Sequence, residues 1–387
     1  MWSSAGCLTT IWEYEDGISV QCTMRVNTAF CGSLFQSTIL LGFAFGVWTV
    51  SAAVGTLSGP STHENLQIFL VHGDTRLEER HYATLSEALD KGFVVVRETG
   101  DVQELSIENQ SKSSTVFLNA GDIVKGGRQD RTVRDDLILP PQSGWVPLAA
   151  FCVEHGRWTG RGQENPAAFS ANTKVLSSRK EKLAARYGMS QSEVWSGVAE
   201  QQTKLNENVS RLAGRNVDTR NAASDSSLQL TLENKDLDAV KRRYLDKLSP
   251  ILNGQTDVIG FVYAINGEIN SAEVYNNKNL FRALWPKLLD AAVTEAVTEY
   301  RTDYHFTPVK AEDVKAFFET AVSGAVKGHE VWKTTQVNTY TTPTTVLFET
   351  LDLAANGAWI HKSFINKGKE TVVVPLDRDW RQNRLQR

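Results

Sequence analysis

The side chains best equipped for chemistry are concentrated in residues 116–158, VFLNAGDIVKGGRQDRTVRDDLILPPQSGWVPLAAFCVEHGRW. Gly126 and Gly127 permit backbone conformations closed to residues with a Cβ, or a close approach by a ligand. Arg128 and Arg131 flank Gln129 and Asp130 directly after them. Guanidinium forks match phosphate geometry, and free backbone N–H groups add donors. With Arg157 these residues outline an anion site suited to a pyrophosphate. The same arginines have acidic neighbours in Asp122, Asp130, Asp135, Asp136 and Glu154. Pairing with those would brace a sheet edge instead.

Catalytic candidates lie in the same stretch. Cys152 is a candidate nucleophile, with His155 or Glu154 as its base. If residues 145–154 form one strand, alternate residues share a face. Cys152 and Glu154 then point one way and His155 the other. A nearby carboxylate raises a thiol's pKa rather than activating it, and free cysteine is commonly a buried apolar residue. Glu154 and Asp130 are candidate general bases for a hydrolase. Trp145, Trp158 and Trp285 are candidates to stack on a base or sugar, although tryptophan is more often a core or rim residue. The seven histidines are scattered without metal-ligand spacing. No dinucleotide G-x-G-x-x-G, nucleophile elbow or Walker loop occurs. No metal and no cofactor is expected.

The GGRQDR run (Gly126, Gly127, Gln129, Asp130, Arg131) and the later CVEHGRW run (Cys152, Glu154, Gly156, Arg157, Trp158) resemble motifs of the ARG-and-Rhodanese-Phosphatase-superfamily-associated Protein domain family. GFVYAINGEINSAEVYNNKNLFRALWPKLL is similar to that family's strand–turn–strand–helix with its WPKLL segment, residues 285–289 here. The likeness runs from about residue 64 to 369. It implies a link to NAD and ADP-ribose metabolism through the family's genomic company, and it carries over no catalytic set.

An α+β protein is the expected frame for these residues. A β-rich lobe is expected over 64–158, with strands at 66–71, 93–97, 102–107, 116–118, 137–139 and 145–154. A loop and helical segment spans 159–255. Helices are expected at 174–187, at 236–248, and after the capping-box pattern Ser190–Glu193. An α+β lobe spans 256–375. There Asn266-Gly267 marks a hairpin, Pro286 suggests a first-turn position or a kink in a helix over 280–300, a further helix covers 311–326, and strands are expected at 331–340, 345–351 and 358–365. Residues 376–387 form a charged tail.

The N-terminus has a different character. Residues 38–55, TILLGFAFGVWTVSAAVG, carry no charge. With a start at Met24, Arg25 supplies a positive region and the small residues near Ala52 and Ala53 a cleavage site, so residues 1–53 read as a leader with a secretory signal peptide. A membrane anchor over 38–55 and a buried helix are the competing readings. Three of the four cysteines, Cys7, Cys22 and Cys31, fall in or before this run. The mature chain then keeps Cys152 alone, which can make no internal disulfide. A net charge of −4 over 387 residues gives no overall pull toward nucleic acid, and membrane contact is expected only through the leader before cleavage.

The expected function is an exported, non-catalytic protein that binds an anionic, nucleotide-derived small ligand through Gly126, Gly127, Arg128, Gln129, Arg131, Arg157 and Trp158. The alternatives are a hydrolase based on Glu154 or Asp130, and a structural or interaction protein in which the motifs only brace the fold.

Overall fold

The computed structural model describes residues 55–157, 169–302 and 305–368, with the side chains of 171–175 excepted. The leader, Trp158 and the charged tail lie outside the described residues. Strand β1 (Thr56–His63) and β2 (Leu66–His72) open the fold, followed by β3 (Tyr82–Thr84) and helix α1 (Leu85–Asp90). Thr84 caps α1 with a reciprocal capping box to Glu87. Next come β4 (Val94–Glu98), β5 (Glu104–Asn109), β6 (Thr115–Leu118), β7 (Asp122–Gly126), β8 (Arg131–Val133), β9 (Leu137–Leu139) and β10 (Trp145–Cys152). Strand β11 (Phe169–Leu176) leads into helix α2 (Arg179–Lys182), which runs into one π-helical turn at Leu183–Tyr187. Helices α3 (Gln191–Ala213), α4 (Leu228–Leu232) and α5 (Lys235–Leu248) complete the helical segment. The remainder is β12 (Val258–Ile265), β13 (Glu268–Tyr275), α6 (Lys278–Thr298), α7 (Ala311–Val322), β14 (Ala325–Trp332), β15 (Thr335–Thr341), β16 (Thr345–Asp352) and β17 (Ala358–Asn366).

The mixed α+β class agrees with the expectation, and three sheets carry it. An eight-stranded sheet runs β1-β2-β12-β13-β17-β16-β15-β14, a six-stranded sheet β11-β7-β8-β10-β5-β4, and a three-stranded sheet β3-β6-β9. Strand β2 pairs with β1 and β12, so it belongs to the C-terminal sheet rather than to the sheets of residues 82–152. Its sequence LQIFLVH is buried on both faces. Leu66, Ile68 and Leu70 pack with Phe261, Tyr263 and α6, while Phe69 and Val71 pack with Val262, Ala264 and α7. A strand covered on both faces needs a continuous apolar run rather than alternation.

Several expected elements shift. Residues 174–176 belong to β11 rather than to a helix, and the helix that follows begins at Arg179 with Ser178 as its cap. Pro286 sits inside α6, which is one helix over Lys278–Thr298. The helix expected over 311–326 stops at Val322, and β14 takes over from Ala325. The strand expected over 145–154 stops at Cys152, so residues 153–156 do not follow strand alternation. Among the described residues no helix is long and apolar enough to cross a membrane.

Candidate functional site

The two motif segments meet, and they meet one another. Strand β8 pairs with β10 so that Arg131 faces Cys152 in register. The loop after β10 is stitched to the loop before β8, with the Val153 N–H donating to the Asp130 carbonyl at 3.0 Å. Glu154 is fully buried and accepts from Arg157 Nε at 2.6 Å and from the Asp130 N–H at 3.2 Å. Arg157 also reaches the Gly127 carbonyl at 3.2 Å, the Gly126 carbonyl at 3.4 Å and the Asp130 carboxylate at 3.7 Å. Asp130 accepts from the Gly126 N–H at 3.0 Å and from the Ser227 hydroxyl at 2.8 Å, which ties the motif to α4. Gln129 is buried and donates to the Glu154 carbonyl at 3.1 Å. Arg131 is buried, donates to the Gln129 carbonyl at 3.0 Å and lies 3.6 Å from Glu98. Arg128 keeps an exposed side chain, and its N–H donates to Glu98.

The diglycine is explained from inside the fold. Gly126 and Gly127 have φ of 120° and 57°. A Cβ on Gly127 would stand 2.1 Å from the Phe169 ring and 2.7 Å from Glu98. The close approach that this glycine allows is therefore made by β11.

The catalytic candidates occupy equally committed positions. Cys152 is buried, and burial pushes its thiol up to about 11. Its backbone is clamped by the Gln191 side chain, which accepts from the Cys152 N–H and donates to its carbonyl, both at 2.8 Å. His155 packs edge-on against Trp195 at 4.6 Å between ring centroids. Burial opposes ionisation of Glu154, yet Arg157, Ser224 and the Asp130 N–H overcome it and hold the carboxyl below its usual range. Trp285 is a core residue set edge-on to Phe261, and Trp145 is half exposed under Arg97.

A second constellation has no motif to announce it. A cavity of about 130 Å³ opens between α2, α3, β13 and α6. Glu181 of α2 and Glu295 of α6 line it, and both carboxyls are buried. Glu181 Oε2 is held by the Ser178 N–H at 2.6 Å and by the Ser178 hydroxyl. Glu181 Oε1 is buried without a hydrogen-bond partner. Glu295 Oε1 accepts from the Arg179 N–H at 2.7 Å and the Tyr263 hydroxyl at 3.1 Å, and Oε2 accepts from Asn270 at 2.9 Å. Burial pushes Glu181 up to about 7, with Ser178 opposing and the Glu295 charge adding to the rise. Burial likewise raises Glu295, with Arg179 opposing. At the mouth, Lys180 pairs with Glu200, and Lys204 bridges Glu200 and Glu299 at 2.9 and 2.6 Å.

The cavity floor is kept open by an unusual residue. Gly197 sits inside α3, where glycine costs roughly 1 kcal/mol relative to alanine. Its conformation is not left-handed, and a Cβ there would meet Glu181 Oε1 and the Lys180 stem at 3.5 Å, an ordinary contact. Neither backbone strain nor backbone crowding requires a glycine at this point.

A third group is buried except for the partly exposed Lys182. His361 donates or accepts between Asp136 at 2.8 Å and Glu273 at 2.9 Å. Thr350 donates to Asp136, Lys182 pairs with Glu273 at 2.9 Å, and Arg186 lies between Asp135 and Asp136. Tyr275 stacks on His361 and donates to Asn119, while Lys287 pairs with Asp122. This network joins β7, the β8–β9 connection, the π-helical turn, β13, α6, β16 and β17. Among the described residues no cluster of three or more His, Cys, Asp or Glu side chains is arranged to hold a metal ion.

Sequence reasoning reaches the first constellation because its residues are adjacent in the chain. It misses the other two because their members come from separate elements. The one available signal for the cavity was a glycine inside an otherwise regular helical pattern. No curated protein and no solved structure matches the chain. Residues 56–365 match the family described as the ARG and Rhodanese-Phosphatase-superfamily-associated Protein domain. That span holds both motifs, all three sheets and the cavity, and the chain belongs to this family.

Proposed function

We propose that the chain is a non-catalytic binding protein for a small polar ligand, exported by its N-terminal segment, with its ligand held in the cavity between α2, α3 and α6. The observation that carries this reading is the buried, unpartnered Glu181 Oε1 in a cavity that Gly197 leaves open. Buried polar atoms are nearly always satisfied, so an orphan beside open space marks a place for a partner. The motif residues support a bracing role instead. Arg131 and Arg157 spend hydrogen bonds on the protein's own carbonyls and carboxylates. The hydrolase reading has weaker support, because a carboxyl held below its usual range, as in Glu154, makes a poor general base. The cavity also speaks to ligand size. A water molecule needs roughly 10–15 Å³ of such space, so 130 Å³ suits a molecule of several heavy atoms and not a dinucleotide.

Thermal-shift measurements with a panel of small polar molecules test the site, comparing the wild type with Gly197→Leu, which fills the cavity. At least one molecule should raise the wild-type melting temperature and lose that effect in the variant. Calorimetric heat from ADP-ribose or NAD that disappears in Arg128→Ala would return the ligand to the motif surface and overturn the assignment. The exported form is tested by N-terminal sequencing after expression with the leader; an uncut N-terminus would count against it.

A further inference from the structure

The cavity has two ends of opposite character, and the inner one defines the ligand. Its inner wall presents Glu181 and Glu295, each buried, with Asn270 and Thr298 beside them. Its cations, Lys180 and Lys204, stand at the mouth and are already paired with Glu200 and Glu299. Arg179 also lines the cavity, where its charge favours the ionised form of Glu295, and its Nη1 is committed to the Asn366 carbonyl at 2.9 Å. An anion entering would meet two carboxylates with no uncommitted cation in front of it. A neutral acceptor would leave Glu181 Oε1 unsatisfied. A protonated amine satisfies that oxygen and offsets the charge of the pair.

Resting on the reading above, we propose that this cavity is a binding site for a small protonated amine, whose ammonium group donates to Glu181 Oε1 and lies against the Glu295 carboxylate. The rest of the ligand is short, because Gly197 offers only a shallow floor beside the Lys180 stem. Two neighbouring buried carboxyls resist ionising together. Binding therefore displaces a proton, and the charge balance is one cation in and up to one proton out. Other charges around the cavity set the range of that exchange: Arg179 and Lys180 from α2, Glu200 and Lys204 from α3, and Glu299 with Glu295 from α6. Tyr263, whose hydroxyl donates to Glu295, stays protonated because burial raises it well above its ordinary value.

The test is isothermal titration of the full chain with methylamine, ethanolamine and putrescine at pH 6.5, in two buffers of different ionisation enthalpy. Acetate and inorganic phosphate serve as anionic probes. At least one amine should bind, with heats that differ between buffers by a fraction of one proton released. Glu181→Gln should weaken that binding at least tenfold and abolish the buffer dependence. Glu295→Gln, which leaves the primary acceptor in place, should weaken it less. Amine binding unchanged in Glu181→Gln overturns the proposal. Binding of an anion but no amine, lost in Gly197→Leu, overturns the ligand class while leaving the cavity as the site. No binding of any probe, with no difference between the wild type and Gly197→Leu against the wider panel, overturns both.

Discussion

At the scale of single residues, the two arginines that invite a ligand-binding interpretation behave differently. Arg157 is nearly buried and sits between Glu154 and Asp130, both fully buried. Removing one partner of a buried pair leaves a charge without compensation, which costs about 3–5 kcal/mol. Arg157→Ala should therefore lose about 3 kcal/mol in denaturant unfolding. Arg128→Ala, on an exposed side chain, should stay within about 0.5 kcal/mol of the wild type. Equal effects from the two would mean that the clamp does not carry the load assigned to it. The sequence showed that GGRQDR and CVEHGRW hold complementary charges, and it offered bracing as one outcome. It had no means of choosing, because the choice turns on which carboxylate each guanidinium reaches after β8 pairs with β10. Cys152 and Glu154 do not share a strand face, for a related reason. The chain leaves the strand at Cys152 so that its next backbone groups can bond to Asp130 and to Leu228 of α4.

At the scale of elements, legibility followed locality. The β12–β13 hairpin was readable because Asn266 and Gly267 adopt φ of 52° and 79°, which few other residue pairs accept. Helix α7 was readable because Val314, Phe317, Phe318 and Ala321 recur on one face. Residues 174–176 were not, since a short run of lysine and apolar residues fits both periods and only its pairing with β7 decides. Pro286 suggested a first-turn position or a kink, and it lies within a single helix. Helix α6 is buried around most of its surface, and packing outweighs the local cost of the proline. Gly197 is the reverse case, a local cost with no packing reason. Gly197→Ala should raise stability by about 0.5–1 kcal/mol through helix propensity alone, measured by urea unfolding. The same substitution should weaken any cavity ligand. A stability loss would indicate that the space beside Glu181 tolerates no methyl group, and the account of the glycine would fail.

At the scale of the whole molecule, the buried network around His361 joins segments that the sequence divides into a β-rich lobe, a helical segment and an α+β lobe. Its charges are held by one another. Burial opposes the imidazolium, yet Asp136 and Glu273 raise His361 above its ordinary range. Burial also opposes ionisation of Asp136 and Glu273, and their cationic partners, His361 with Arg186 or Lys182, hold both carboxyls below theirs. The two directions bound a pH window. A raised histidine contributes fully below its unfolded value of about 6.5 and loses that contribution as pH climbs through the folded value. The lowered carboxyls contribute above about 4 and lose it as pH falls. Stability should therefore peak between about pH 4 and 6.5 and decline on both sides. Glu181, raised from about 4.5 to about 7, withdraws stability progressively between those two values, because its ionised form is the one that burial penalises, and so draws the peak toward the acid end of that window. The two sources separate in a Glu181→Gln background. There, melting temperatures followed from pH 6 to 9 should still fall, and adding His361→Gln should lower the whole curve while flattening that fall. An alkaline slope that survives both substitutions would place its origin elsewhere, and the network would then tie the segments together without setting their response to pH.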